Sequence, residues 1–231
     1  GEEKGRAEFK IMEDGDAETR KLWEWIVDLS LKEFQKMYDR LGVTFDYIHG
    51  ESFYEDKMQE IIDLGVKKGL FVEGEGGSLI APLKDPNIPP CLIKKSDGAT
   101  LYATRDLART KYWEDTWHPD LMIMIADSAQ TLHFKQFFEV AENLGITKAP
   151  NIHVLFGRMS FPEKKMSTRK GNILKLEEVL DEAESRAYEI VKEKNPDLDE
   201  KKKKEVARQV GISGVKYAVL SQNRLTDIVF T

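Results

Sequence analysis

Between Asp16 and Gly42, apolar residues return at three- and four-residue steps, at Leu22, Trp25, Ile26, Leu29, Phe34, Met37, Tyr38 and Leu41. That spacing predicts an amphipathic helix, capped by Asp16, stopped by Gly42 and packed through its apolar stripe. A short strand is expected over 43–48, and a second helix over 55–67 with Met58, Ile61, Ile62 and Leu64 facing inward. Between Leu70 and Thr104 the period falls to two, which predicts strands, and Asp97-Gly98 suits a hairpin turn. The glycines of Gly74-Glu75-Gly76-Gly77 lack the full G-x-G-x-x-G spacing and a following helix, so they read as a plain turn. Pro82, Pro86, Pro89 and Pro90 mark a loop within this β-rich segment.

Helical spacing returns over 104–117, followed by Leu121-Met122-Ile123-Met124-Ile125-Ala126, an apolar run too short for a helix and continuous enough for a central parallel strand. A turn at Asp127-Ser128 leads into a helix bearing Phe134, Phe137, Phe138, Ala141 and Leu144, closed by Gly145, and a strand is expected over 152–156. Strand, helix and strand within about 35 residues predict a right-handed βαβ unit, the element of doubly wound sheets that bind ligands beyond the carboxyl ends of their strands. Leu176, Val179, Leu180, Ala183, Ala187, Ile190 and Val191 trace one face of a further helix, broken at Asn195-Pro196. Helix resumes with the lysine run Lys201–Lys204, read as a solvated face, and continues over 206–224. The pattern thus changes from mixed α/β to all-α near residue 176, the expected boundary between residues 1–175, with a β-rich segment at about 70–104, and residues 176–231.

The 231 residues are 41% hydrophobic and 33% charged, a composition able to bury a full core, so a disordered or fibrous chain is excluded. A formal net charge of −6 argues against a surface that grips nucleic acid everywhere, while leaving room for a local basic site. Cys91 is the one cysteine, so no intramolecular disulfide or cysteine-based zinc site can form; it reads as a small buried hydrophobe in a reducing cytosol. No apolar run reaches the ~18 residues of a membrane span, and residues 1–10 carry no export signal, so a cytoplasmic protein without membrane partners is expected. Gly1 is not an initiating methionine, and the chain is expected to be a piece of a longer one.

Three segments carry candidate chemistry. Tyr102 and Asp106 lie four apart, so a helix starting near 102 puts both on one face, where the carboxylate suits a cation; alternatively Asp106 pairs with Arg105 or Arg109. Gln130 and His133 fall in the first turn of the helix after an apolar strand, where backbone N–H groups are free and ligands dock at sheet ends. From Lys164 to Lys170, four of seven residues are cations, interleaved with Ser167 and Thr168 and followed by Gly171. That composition, between a strand and a helix, suits a polyphosphate.

The order Lys165-Met166-Ser167-Thr168-Arg169-Lys170-Gly171 resembles the second signature of class I aminoacyl-tRNA synthetases, whose common form ends Lys-Ser where this chain has Thr168-Arg169. With it, the run from Asp97 to Ala108, Ser128-Ala129-Gln130-Thr131-Leu132-His133, Gln136-Phe137-Phe138, Phe156-Gly157, Glu51-Ser52-Phe53-Tyr54 and Gly211-Ile212-Ser213-Gly214-Val215-Lys216-Tyr217 are similar to the arginyl-tRNA synthetase family over essentially the whole chain. The resemblance implies part of a Rossmann-like parallel-sheet catalytic domain followed by an all-α junction. It implies two steps, formation of arginyl-adenylate from L-arginine and ATP and transfer to tRNA(Arg), with ATP and its Mg2+ as substrate and no metal ligated by protein. Such transfer depends on alignment and on stabilising charge at phosphate oxygens. By the family match, Lys165, Ser167, Thr168 and Arg169 neutralise the leaving pyrophosphate with Lys170 assisting, Met166 and Gly171 belong to the ATP site, and His133 lies toward adenine or ribose. Tyr102, Asp106 and Gln130 hold the substrate guanidinium, a planar donor fork well met by a carboxylate, a phenol and an amide.

The family's His-x-Gly-His signature, its N-terminal domain and its anticodon-binding domain have no counterpart in this sequence. The two signatures act together, so this piece alone is expected to lack aminoacylation and pyrophosphate exchange, and its parent is expected to be a monomer. Which cation, Arg169 or Lys170, meets the phosphates is open. Two other readings compete: another class I synthetase, against which a buried carboxylate at Asp106 argues, and a synthetase-like module that binds nucleotide or RNA without chemistry.

Overall fold

The structure is a computed structural model that describes residues 4, 5, 8, 11, 12, 15–160 and 175–229. The chain divides into two compact units, residues 1–46 with 167–221 and residues 47–166 with 222–231. Each is described by itself.

The first unit is helical. Its elements are α1 (Ala17–Leu41), capped by the Asp16 carboxylate on the Thr19 amide at 2.9 Å and ended by Gly42 in the left-handed region, and two long helices that come later in the chain. The cap and the stop are those the sequence predicts. The packing is not: no residue of α1 is buried, and Leu22, Trp25, Ile26, Leu29 and Phe34 are all exposed. The apolar stripe exists, but it is covered only in part, with Trp23 and Val27 half-buried, and polar anchors are found at the end of the helix. There Arg40 reaches Asp181 and Glu184 at 2.9 and 2.7 Å, and Lys216 donates to the Leu41 carbonyl.

The second unit opens with an aromatic segment instead of the strand expected over 43–48. Tyr47 packs on Trp117 at 4.8 Å between ring centroids, and His49 stacks on Phe53 at 3.9 Å. Among the described residues no strand pairs with this segment, and its rings pack on one another. A 3-10 turn over Glu51–Lys57 leads into α2 (Met58–Lys67), which buries Met58, Ile61 and Ile62 as its pattern requires. The β-rich segment is an antiparallel sheet of β1 (Val72–Glu73), β2 (Leu79–Ala81) and β3 (Cys91–Lys94) in that order, with an irregularity between Leu79 and Ile80. The glycine cluster at 74–77 is a turn, with Gly76 and Gly77 at positive φ. Helix α3 (Tyr102–Trp117) follows, and the buried Thr104 hydroxyl donates to the Ile93 carbonyl, tying its first turn to β3.

Next come β4 (Met122–Asp127), α4 (Thr131–Leu144) and β5 (Asn151–Phe156), with β4 and β5 parallel and in register from Met122↔Asn151 to Asp127↔Phe156. This is the strand–helix–strand unit that the pattern predicts. On one face Met122 and Met124 are buried; on the other, Ile123, Ile125, Ile152 and Phe156 are exposed, Ile125 at 70%. The apolar run is therefore that of a two-faced strand with a cover, among the described residues, on one face only. A second parallel pair, β6 (Met159–Ser160) with β7 (Ile228–Val229), brings the end of the chain beside β5. Around it the Gly157 amide donates to the Arg224 carbonyl at 2.7 Å and Arg224 Nη1 donates to the Leu155 carbonyl at 2.6 Å.

The core of the second unit gathers side chains from α2, β2, β3, α3, β4 and α4, and Cys91 lies within it. Burial, with the charge of Asp106 adding to it, pushes the Cys91 thiol from 9.0 up to about 12. Iodoacetamide at pH 8 is accordingly expected to leave the folded chain unmodified and to label it only in denaturant, as intact mass would report. The thiol titrates near its ordinary value when unfolded and far higher when folded, so its contribution to stability is present below pH ~9 and is lost between ~9 and ~12. Rapid labelling of the folded chain would contradict this placement.

In the helical unit, α5 (Leu176–Lys194) and α6 (Glu200–Leu220) pack side by side through Leu180, Ala187, Val191, Ala207, Gly211 and Ile212. Helix α6 stops at Leu220, four residues before the expected end at 224. The lysine run is solvated at Lys201, Lys202 and Lys204, but Lys203 is buried at 7% exposure. Its ammonium donates to the Pro196 carbonyl at 3.0 Å and pairs with Glu200 at 3.2 Å, so backbone geometry at the turn before α6 recruits one lysine inward.

Candidate active site

The carboxyl end of β4 carries the candidate site. Asp127 closes the strand, its carboxylate accepting the Ala129 amide at 2.6 Å and Arg158 Nε at 2.7 Å, and this cap nucleates the 3-10 turn Ser128–Gln130 that runs into α4. The Arg158 guanidinium, more than the amide, holds the Asp127 carboxyl below the usual carboxylate range. Gln130 is exposed on that turn, and His133 stands one turn further, in the first turn of α4.

Helix α3 begins at Tyr102, so Tyr102 and Asp106 do share a face one turn apart. Tyr102 is 66% exposed, whereas the Asp106 side chain is 19% exposed and held at both oxygens. His133 Nε2 donates to Oδ2 at 2.5 Å, and Arg109 Nη1 forms an ion pair with Oδ1 at 3.0 Å. Of the two cations the sequence offers Asp106, Arg109 takes the role, while Arg105 pairs with Glu51 at 2.6 Å.

His133, expected on the adenine or ribose side, thus touches the carboxylate expected to meet the guanidinium, three residues beyond Gln130. Asp106 meets, through His133, the first turn of the helix that follows the Gln130 turn. The contact between residues 106 and 133 leaves no trace in spacing, because it joins two helices through the strand between them. Lys165, Met166, Ser167, Thr168, Arg169, Lys170 and Gly171 lie outside the described residues. Among the described residues no group of three or more His, Cys, Asp or Glu side chains is placed to hold a metal ion, and no helix is long and apolar enough to cross a membrane.

A parallel strand–helix–strand unit with a polar, charge-bearing rim at its strand ends defines an α/β domain of the kind that takes ligands beyond its sheet. The family model for "tRNA synthetases class I (R), catalytic domain" matches residues 2–231, and the chain belongs to that family. Among similar proteins, the arginine–tRNA ligase of Fusobacterium nucleatum is 45% identical over 229 residues, 99% of this chain and 40% of that one. That of an Exiguobacterium species is 48% identical over 230 residues, again 99% and 40%. The chain therefore spans about 40% of the length of these curated relatives. Among solved structures, arginyl-tRNA synthetase from Plasmodium falciparum superposes with a TM-score of 0.76 at 23% identity, over 95% of this chain and 37% of that one. That from Thermus thermophilus gives 0.64 at 19% identity, over 98% and 46%. At these identities the superpositions carry the fold.

Proposed function

We propose that this chain is part of an arginine–tRNA ligase, contributing the pocket for the amino acid's side chain and the phosphate-binding loop. The longer protein joins the L-arginine carboxylate to the α-phosphorus of ATP, which arrives with its Mg2+, and releases pyrophosphate. It then transfers arginine to the terminal ribose of tRNA(Arg), working as a monomer in the cytoplasm. Residues 1–175 form the carboxyl part of its catalytic domain and residues 176–231 a helical junction. Lys165, Ser167, Thr168, Arg169 and Lys170 receive the phosphates, with Met166, Gly171 and His133 on the nucleotide side or at its boundary with the amino acid.

The observation that carries this reading is Asp106, a half-withdrawn carboxylate one helical turn from Tyr102 and bonded to His133, three residues past Gln130, in a chain of this family. A carboxylate can accept about four hydrogen bonds; this one accepts one from His133 and lies in an ion pair with Arg109, which leaves acceptor capacity for the two N–H groups of a guanidinium fork. Lysine offers a point charge without the fork. Calorimetry is expected to give L-arginine binding to this chain at least about tenfold tighter than L-lysine, a difference lost in Asp106→Asn, since one charge-assisted bond is worth about 1.5–3 kcal/mol. Equal, weak binding of both amino acids by the unmutated chain would remove the assignment.

A further inference from the structure

We infer that His133 and Arg109 are positioning residues that clamp the Asp106 carboxylate from two sides, so that it is aligned before any guanidinium arrives. This inference rests on the pocket reading above and names how that pocket is held.

The two contacts come from different elements. Arg109 is one turn beyond Asp106 on α3, and helical side chains lean toward the N-terminus, so its guanidinium falls naturally on Oδ1. His133 comes from α4 and meets Oδ2. Neither partner is free to leave. The His133 ring packs on Phe137 at 5.2 Å and edge-on to Phe134 at 5.7 Å. The Arg109 guanidinium lies 5.1 Å above the Trp113 ring, with Nη2 3.2 Å from the Met124 sulfur. With α4 on one side and the following turn of α3 on another, the preceding turn, where Tyr102 stands 66% exposed, is the side that remains for a ligand.

Chemistry fixes the imidazole as well as the carboxylate. A carboxylate only accepts, so the ring nitrogen facing it must be the donor, and neutral His133 is set as the Nε2–H tautomer with Nδ1 as acceptor. The Arg109 guanidinium stands 3.0 Å from Oδ1 as an ion pair, so the carboxylate already has a guanidinium charge beside it. A carboxylate pinned at both oxygens pays less ordering entropy when a planar ligand docks, which is the gain that preorganisation brings.

The test reads the contact and its consequence separately, on this chain. Nitrogen-15 NMR near pH 8 is expected to find His133 as one Nε2–H tautomer, turning to a mixture in Asp106→Ala. Calorimetry with L-arginine is expected to weaken about tenfold or more in His133→Leu, and to stay within about threefold in His133→Gln, whose amide can still donate to Oδ2. His133 found as the Nδ1–H tautomer, or unchanged in Asp106→Ala, would overturn the clamp while leaving the pocket reading intact. Unweakened arginine binding by His133→Leu would overturn the positioning role. The expected tautomer together with no L-arginine binding by the unmutated chain would overturn the pocket reading and the role built on it, leaving the contact as structure alone.

Discussion

Gly211→Val is expected to pry α5 from α6 and to destabilise the helical unit by about 1–3 kcal/mol or more. A Cβ at Gly211 would stand 2.8 Å from the Ala183 carbonyl carbon and oxygen and from the Glu184 amide nitrogen. These are backbone atoms of the facing helix, so no side chain can rotate out of the way and the helices themselves must separate. The seam around the position is built for close approach, with Ala183 and Ala187 on α5 and Ala207 one turn before Gly211 on α6. Gly214 on the same helix gives the control. Nothing lies within 4 Å of a Cβ there, so Gly214→Ala is expected to stabilise by about 0.5–1 kcal/mol through helix propensity alone. Urea unfolding followed by circular dichroism separates the two, and a Gly211→Val chain as stable as the unmutated one would mean that the helices do not meet at this distance.

What the pattern discloses is the local part of this fold. Apolar runs, helical stripes and their stops recover β4, α4, β5, α5 and the βαβ order, because period and capping are decided by residues a few positions apart. Burial is a different matter. The stripe of α1 has the spacing of a packed helix, yet Trp25 and Phe34 stand exposed, since periodicity tells which face is apolar and not what covers it. The β6–β7 pair is two residues long on each strand and joins Met159 to Ile228, a separation at which neither partner carries a signal of its own. The expected strand at 43–48 fails for a related reason: a strand needs a partner to pair with, none pairs with it among the described residues, and there the rings of Tyr47 and His49 pack on Trp117 and Phe53 instead.

The site divides in the same way. That Tyr102 and Asp106 share a face follows from helical geometry once α3 starts at Tyr102, and the Arg109 contact is an ordinary three-residue pairing. The His133 contact is tertiary. It exists because α3 and α4 pack against each other and both against β3 in one core, and nothing in the composition of either helix announces it. Legible chemistry therefore ends at the list of residues able to act, and the packed core decides which of them meet.

Phe137→Ala tests that dependence of chemistry on packing. Phe137 is 0% exposed, with ring centroids 4.6 Å from Phe138, 5.2 Å from Phe134 and 5.2 Å from His133. Removing a buried phenyl ring costs the lost transfer free energy and leaves a cavity, together about 3–5 kcal/mol, a large share of the ~5–15 kcal/mol that holds an ordinary domain folded. The urea midpoint is expected to fall accordingly with its slope unchanged. Because the same ring backs the imidazole, the His133 tautomer signal is expected to broaden or split even in the fraction that stays folded. A loss below about 1 kcal/mol would mean that α4 does not seat its aromatic face in this core. An unperturbed His133 signal in a destabilised chain would separate the two functions of Phe137 and leave Asp106 as the main holder of the imidazole.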